Sequence, residues 1–422
     1  MKILPPFAGL HKRRILCCGL LFGLLLSGLA AQEPCLTESI RQRNALRFPE
    51  LPGAPTAMPP AAVGARSTVT IPVVVHVLYR TSDENISDEQ IFSQLEVLNE
   101  DFRLLNSNAG TIPTLFAALA ADVEINFCLA SVDPQGQAST GITRQSTTWN
   151  NIGQATAPDG RPRIHYSSLG GQDAWAPEHY LNIWVGAIGG GILGYATPPG
   201  TAIPAEDGVV VDPRYFGRTG LASLNAPHHL GRTATHEIGH YFNLRHIWGE
   251  NTNSCFDDDD VSDTPIQRIA TLGCPTFPQL SCGNPSMFMN YMDYTDDACM
   301  AMFSSGQKTR MWAALNGSRP SLLESTACQA TPVSSAPDTD LRLDLRPNPA
   351  TEQLSIRWPE GMPRPLEVRL LDAKGYCRWR QSLDGDVSEN LLVPVDQLPA
   401  GVYVVGVQTG AGLLRGRFVK IR

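Results

Sequence analysis

His236-Glu-Ile-Gly-His-Tyr-Phe-Asn-Leu-Arg-His246 is the stretch on which the reading of this chain turns. His236 and His240 are four apart, so on a helix they share a face one turn apart and both imidazoles can reach one ion. Glu237, beside the first histidine, is aimed past such an ion at its open coordination position. His246 follows His240 by six residues, too far for the same face unless the chain turns back. Asn243 stands where that turn must fall, and asparagine tolerates the left-handed backbone that ends many helices. Three histidines with an open fourth position form the catalytic zinc pattern; a closed structural site needs a fourth protein ligand and has no use for Glu237. The plain alternative, three surface histidines near a helix end, needs this spacing to arise by chance, and demanding the third histidine makes that rarer by a factor of about fifty.

Outward from the motif, the bulk properties set the frame. A chain of 422 residues suggests two or three domains, and 42% hydrophobic with 18% charged residues is a globular balance. The formal net charge of −8 argues against nucleic acid as a partner. Lys12, Arg13 and Arg14 precede an apolar run from Ile15 to Leu29, and Gly28 and Ala30 meet the small-x-small rule, so residues 1–30 read as a cleaved signal peptide. No other segment approaches 18 apolar residues, so no transmembrane segment is expected in the mature protein. Residues 31–66 become rich in proline and alanine and carry little core-forming pattern, which suggests a removable pro-segment.

From residue 67 the character changes. Val69 to Tyr79 is a buried strand candidate; Val123 to Ala130 and Tyr180 to Ala187 are two more. Ser87-Asp-Glu-Gln90 is a capping box opening a helix with Ile91, Leu95, Leu98 and Phe102 on one stripe. The motif helix is expected over about 226–244. The run from Gly189 to Pro199 is a glycine-flanked strand followed by a proline pair, so it belongs at a sheet edge, where an extended peptide could add as a further strand. Residues 67–328 thus form one domain, 329–340 a Pro/Ser/Thr/Ala linker, and 341–422, with alternating runs such as Gln353-Leu-Ser-Ile-Arg-Trp358, a small β-sandwich.

Asn290-Tyr-Met-Asp-Tyr294 is the second informative motif. A thioether at Met292 fills irregular apolar space under a metal without competing as a hard ligand, and the phenol of Tyr294 could hydrogen-bond a developing oxyanion. Past the signal peptide eight cysteines remain, and in an exported chain they read as disulfides first. Four of them crowd into 255–299, where spacing alone allows three pairings.

These residues, with Ile71-Pro-Val-Val-Val-His-Val-Leu-Tyr79, Leu193-Gly-Tyr-Ala196, Leu244-Arg-His-Ile-Trp-Gly249 and Asn290-Tyr-Met-Asp-Tyr-Thr-Asp-Asp-Ala-Cys-Met300, resemble the metzincin metalloproteases and, within them, the pappalysin family, over roughly residues 67–328. Asn243 departs from the glycine common in metzincins but can adopt the same turn. The resemblance implies an α/β (α+β) catalytic domain with a twisted mixed sheet and a zinc-binding active-site helix. It implies zinc on His236, His240 and His246, Glu237 as general base, Met292 as the floor of the site and Tyr294 as oxyanion partner. It implies disulfides Cys255–Cys282 and Cys274–Cys299; Cys128 and Cys328, left over, are expected to bond to each other. It places calcium at the acidic loop 256–265, with Asp259, Asp263 and Thr264 as ligands; physically, clustered carboxylates on an irregular loop suit a hard cation.

Cys35 resembles the family's pro-segment cysteine, and its thiolate could occupy the open zinc position as a zymogen switch; a disulfide, with Cys377 for instance, is the other reading. Asp297 lies beyond Met292, where in metzincins the chain walls the pocket after the scissile bond. A carboxylate there implies cleavage on the amino side of Arg or Lys, with the bond 65–66 as a self-activation point, unless Asp297 joins Asp296 as a solvated or calcium-binding carboxylate. Leu345-Arg-Pro-Asn-Pro-Ala350, Leu398-Pro-Ala-Gly-Val-Tyr-Val-Val405 and Arg417-Phe-Val-Lys-Ile-Arg422 resemble the sorting domain of type IX secretion, which implies the secretion machinery as a partner. The expectation is a secreted zinc endopeptidase acting on proteins or peptides. The rival is a zinc-containing surface binding protein or adhesin without proteolytic activity.

Overall fold

Val69–Tyr79 (β1) is the central strand because nearly every residue in it is apolar or β-branched, and Ile71 to Leu78 are buried. The computed structural model describes residues 34–55, 68–250, 253–328, 343–358, 365–372, 377–383, 390–409 and 412–421. The expected signal peptide, the bond 65–66 and the expected linker fall outside them.

Ile125–Leu129 (β2) and Ile142–Ser146 (β3) pair parallel with the first and second halves of β1, and Leu181–Val185 (β4) pairs parallel with its middle. Gly194–Ala196 (β5) and Val209–Val211 (β6) complete the mixed sheet in the order β2-β1-β4-β6-β5. β5 is antiparallel to β6 and lies at the edge, as its glycines and the following prolines require.

Alternate residues of the strands feed two cores. Val73, Val75, Val77, Ile183, Val209 and Val211 face Asp88–Asp101 (α2) and Arg232–Tyr241, whereas Leu78, Trp184, Tyr195 and Val210 lie in a separate cluster. Ser87 caps α2 by accepting a hydrogen bond from the Gln90 amide, and Ile91, Leu95, Leu98 and Phe102 are buried.

The structure differs from the sequence reading in two places. Within 31–66, which shows no core pattern, Thr37–Arg47 (α1) is a helix. It is held by one apolar contact, Ile40 in the Tyr195 cluster, and by polar anchors, so no hydrophobic stripe announces it. The motif helix is also shorter than 226–244. After Thr114–Ala117 (α3), the helix Arg232–Tyr241 (α4) begins at Gly231, whose φ of +81° suits glycine and cannot continue a helix upstream.

Short strands follow: Leu272–Gly273 (β7), Leu280–Ser281 (β8), Asn284–Pro285 (β9) and Tyr294–Thr295 (β10), then helix Ser305–Gly317 (α5). This region has little regular structure and is cross-linked by Cys255–Cys282 and Cys274–Cys299; Cys128 on β2 is bonded to Cys328. Cys35 is a buried free thiol.

The C-terminal segment is all β. Asp344–Arg346 (β11), Gln353–Arg357 (β12), Pro365–Asp372 (β13), Cys377–Ser382 (β14), Asn390–Pro394 (β15), Gly401–Thr409 (β16) and Gly412–Lys420 (β17) form two sheets, β11-β12-β15 and β14-β13-β16-β17. Between them lies a core of Leu354, Ile356, Val368, Leu370, Val393, Val405 and Phe418. Among the described residues no helix is long and apolar enough to cross a membrane.

Candidate active site and metal centre

On α4, His236 and His240 point the same way, and Nε2 of one lies 3.1 Å from Nε2 of the other. The helix ends at Asn243, which takes φ +74°, and the chain returns so that His246 Nε2 lies 3.1 Å from that of His240. Nδ1 of His236 donates to the Tyr291 carbonyl at 2.7 Å and Nδ1 of His240 to the Leu244 carbonyl at 2.9 Å. A carbonyl can only accept, so these rings carry their proton on Nδ1 and present bare lone pairs at Nε2.

Lone pairs this close repel one another unless a cation sits between them. About 3.3 Å is the separation expected of nitrogens bound tetrahedrally at zinc distances. Burial lowers all three pKa values, to about 3 for His236, about 4 for His240 and well below the usual value for His246, so the rings are neutral and ligand-ready. Among the described residues the only group of three or more His, Cys, Asp or Glu side chains placed to share one ion is this one, joined by Cys35; its ligand atoms lie within 4.8 Å of one another. The residues fit a resident metal ion.

Glu237 faces the cluster from beneath the sheet edge. Gly194 of β5 makes room for it, since a Cβ there would stand 3.0 Å from Glu237 Cγ. Burial pushes the Glu237 carboxyl up to about 8, partly offset by hydrogen bonds from Cys35 and Thr37. The Thr37 hydroxyl donates to Glu237 at 3.1 Å and accepts from the Ala196 amide; Cys35 Sγ lies 3.4 Å from the same carboxylate oxygen. Burial first and Glu237 second raise the Cys35 thiol well above its usual pKa, so without a cation it is protonated.

Met292, fully buried, lies under α4 with its sulfur so close that a Cβ on Gly239 would meet it at 2.5 Å. The Tyr294 hydroxyl is 3.0 Å from His246 Nε2, and Trp248 stacks on the His246 ring at 4.5 Å. Asp101, which the sequence reading did not single out, accepts from Thr235 and Tyr291 and pairs with Arg232, joining α2, α4 and the Met292 segment. Only tertiary contact reveals its part; Trp248 stands in the quoted run Leu244–Gly249, but its stacking on His246 is visible only in the fold.

Asp297 lies in the wall of a small cavity beside Glu237, with Leu193, His228, His236 and Tyr294. One oxygen accepts from the Leu230 and Arg232 amides at the start of α4, and the other faces His228 at 3.7 Å. Asp259 uses one oxygen to accept from Val261 and Thr264, while the other is buried without a hydrogen bond, and burial raises its pKa to about 7. Both Asp263 oxygens are occupied at the start of α5, by Ser304 and Gly306.

Residues 166–316 match the family model described as pregnancy-associated plasma protein-A, and 345–421 match a secretion system C-terminal sorting domain. The extracellular metalloprotease of Arthroderma benhamiae is 31% identical over 303 residues, 69% of this chain and 95% of its own length. The chain belongs to the pappalysin family of secreted metalloproteases. A second pappalysin-like relative, the extracellular metalloprotease of Colletotrichum graminicola, is 30% identical over 68% of this chain and 89% of its own length. Mature mirolysin of Tannerella forsythia, solved with a cleaved peptide, is 46% identical, with a TM-score of 0.58 over 61% of this chain and 96% of that one. A promirolysin mutant from the same organism is 40% identical, with a TM-score of 0.59 over 69% and 97%. This pappalysin is therefore an exported metalloprotease with a catalytic metal, a metzincin α/β fold and a C-terminal sorting domain.

Proposed function

We propose that the chain is a zinc endopeptidase that cuts on the amino side of Arg and Lys and is held latent by its own segment 31–66. The observation that carries this reading is the convergence of three imidazole Nε2 atoms beside a carboxylate that binds none of them. A zinc ion held by His236, His240 and His246 supplies Lewis acidity at the open position.

The chain's own residues do the rest. Once residues 34–37 have left it, the edge of β5 pairs with an extended substrate. Glu237 takes a proton from the attacking water and delivers it to the leaving amine; its buried setting favours that return step, because a carboxyl of raised pKa is a competent acid. The Tyr294 hydroxyl donates to the oxyanion as it develops. Met292 fills the floor, and Asp297 receives the guanidinium or ammonium of the residue after the cut.

Latency follows from what occupies the site. Residues 34–37 lie along β5, with Leu193 donating to the Pro34 carbonyl and Leu36 to that of Gly194. They take the edge a substrate needs. Cys35 supplies a sulfur at the histidines and Thr37 engages Glu237; a cation there would lower the thiol's pKa and draw it on as a ligand. For calcium, the unsatisfied oxygen of Asp259, with Thr264 beside it, offers hard ligands, while Asp263 serves α5. A casein assay with and without o-phenanthroline tests the central reading: activity indifferent to the chelator, or none after removal of the segment, refutes it.

A further inference from the structure

Arg47 closes α1, about 16 Å of helix from the Cys35 end. Its guanidinium donates through Nη1 and Nη2 to the two oxygens of Glu206, at 2.6 and 2.8 Å, in a fork-to-fork pair. Glu206 belongs to the turn Pro204–Glu206 between β5 and β6, and its side chain is 1% exposed. The Tyr166 hydroxyl donates to the same carboxylate at 2.7 Å. Among the described residues Arg47 is the only cation in ion-pair contact with Glu206. A buried carboxylate strongly favours keeping its partner, because losing it leaves an uncompensated charge away from water. Nearly two turns upstream, Ile40 clusters with Tyr195, Ile192 and Trp184, and Arg41 pairs with Glu250 at 3.0 Å, so α1 is seated by the Arg47 pair at one end and by an apolar contact and a more exposed ion pair nearer its middle.

We propose that Glu206 and Tyr166 form an arginine-binding cradle, apart from the catalytic centre, whose grip on Arg47 holds α1 in place and keeps the chain latent independently of Cys35. The proposal rests on the reading of 31–66 as the pro-segment. Cys35 and Thr37 block the histidines and Glu237, but they sit just before α1 and at its first residue. The cradle resists lifting of the helix from its other end, so departure of the segment requires it to open as well as the contacts at Cys35 and Thr37. Once the segment has gone, the cradle presents a carboxylate and a phenol shaped for a guanidinium, and its ligand class is an arginine side chain.

The test is hydrogen exchange of residues 37–47, read by mass spectrometry on the full chain carrying Glu237→Gln, which removes the base so that the chain cannot process itself and keeps an acceptor for Thr37. Arg47→Ala should speed exchange of α1 by about a hundredfold, while β1 and α4 exchange as in the parent. Glu206→Gln should act in the same direction. Arg47→Lys, which keeps the charge and loses the fork, should fall between. Cys35→Ala should leave α1 within a few-fold of the parent. The proposal is overturned if α1 in Arg47→Ala exchanges within twofold of the parent, or if Cys35→Ala alone frees the helix. Should Arg47→Ala disturb β1 and α4 as well, Arg47→Lys decides: an intermediate rate supports the cradle and an unchanged one overturns it. Failure of the pro-segment reading is separately visible, since the active secreted form would then still contain residues 37–47 on N-terminal sequencing.

Discussion

Replacing Gly239 by alanine sets two known effects against each other inside the metal-binding motif. In a helix interior alanine is favoured over glycine by about 1 kcal/mol. At this position, however, the added Cβ would stand 2.5 Å from Met292 Sδ and 3.4 Å from both Met292 Cε and Leu244 Cδ1. Heavy atoms pack at roughly 3.5–4.0 Å, so the sulfur must retreat by about 1 Å or more. Met292 is fully buried beneath His236 and His240 and cannot swing into solvent. Overpacking of this kind costs about 1–3 kcal/mol, which exceeds the gain in helix propensity. We therefore expect Gly239→Ala to destabilise the protein by about 1 kcal/mol and to lower zinc affinity, because the helix that aims two of the three ligands must shift. Met292→Ala removes the obstacle, at its own cavity cost of about 2–5 kcal/mol. In that background Gly239→Ala should be neutral or stabilising by up to about 1 kcal/mol. Denaturant unfolding of the four proteins, with zinc content by mass spectrometry, measures both signs. If Gly239→Ala stabilises the protein while Met292 is present, the close-contact argument is wrong.

Three further outcomes are expected. Glu237→Ala should abolish peptide hydrolysis with zinc retained, whereas His246→Ala should lower both; residual activity above a few per cent in Glu237→Ala would refute the base assignment. Asp297→Asn should weaken the preference for Arg and Lys after the cut and cost about 1 kcal/mol of stability through the start of α4; a proteome digest with no basic preference in the parent would reject the pocket assignment. His165 is buried against Trp184 with Nδ1 unsatisfied, and burial lowers its pKa from 6.5 to about 3. Below pH 6.5 the unfolded chain binds a proton that the native ring refuses, so stability falls with pH by about 1.4 kcal/mol per unit until pH nears 3. His165→Phe should remove that loss and therefore gain on the parent by about 2 kcal/mol between pH 6.5 and 5. Comparison with the parent cancels the opposite contributions of buried carboxyls such as Asp259 and Asp293, whose raised pKa values favour the fold on acidification. A gap that stays constant over that range would contradict the buried, neutral state of His165.

Much of this protein is legible in one dimension because its signals are local. The Val69–Tyr79 run, the Ser87 capping box and the spacing of His236, Glu237, His240 and His246 act through neighbours a few residues apart, where strand and helix periodicity fix which side chains share a face. The edge position of β5 was equally readable, since prolines after it exclude a central place. Where the motif helix begins is not legible in the sequence, because Gly231 gives no hint of its left-handed backbone until its surroundings are known. Segment 31–66 concealed α1 because its anchors, Arg47 on Glu206 and Thr37 on Glu237, lie 159 and 200 residues away along the chain. No periodicity encodes such pairs. Asp297 makes the same point: sequence places it near a substrate pocket, but only the fold shows one of its oxygens capping α4 and the other turned toward His228. Asp101, silent in the sequence, binds α2, α4 and the floor of the site into one unit because burial brings Thr235, Tyr291 and Arg232 around a single carboxylate. Local chemistry in this chain is written in residue order, whereas the partners that hold it poised are chosen by packing.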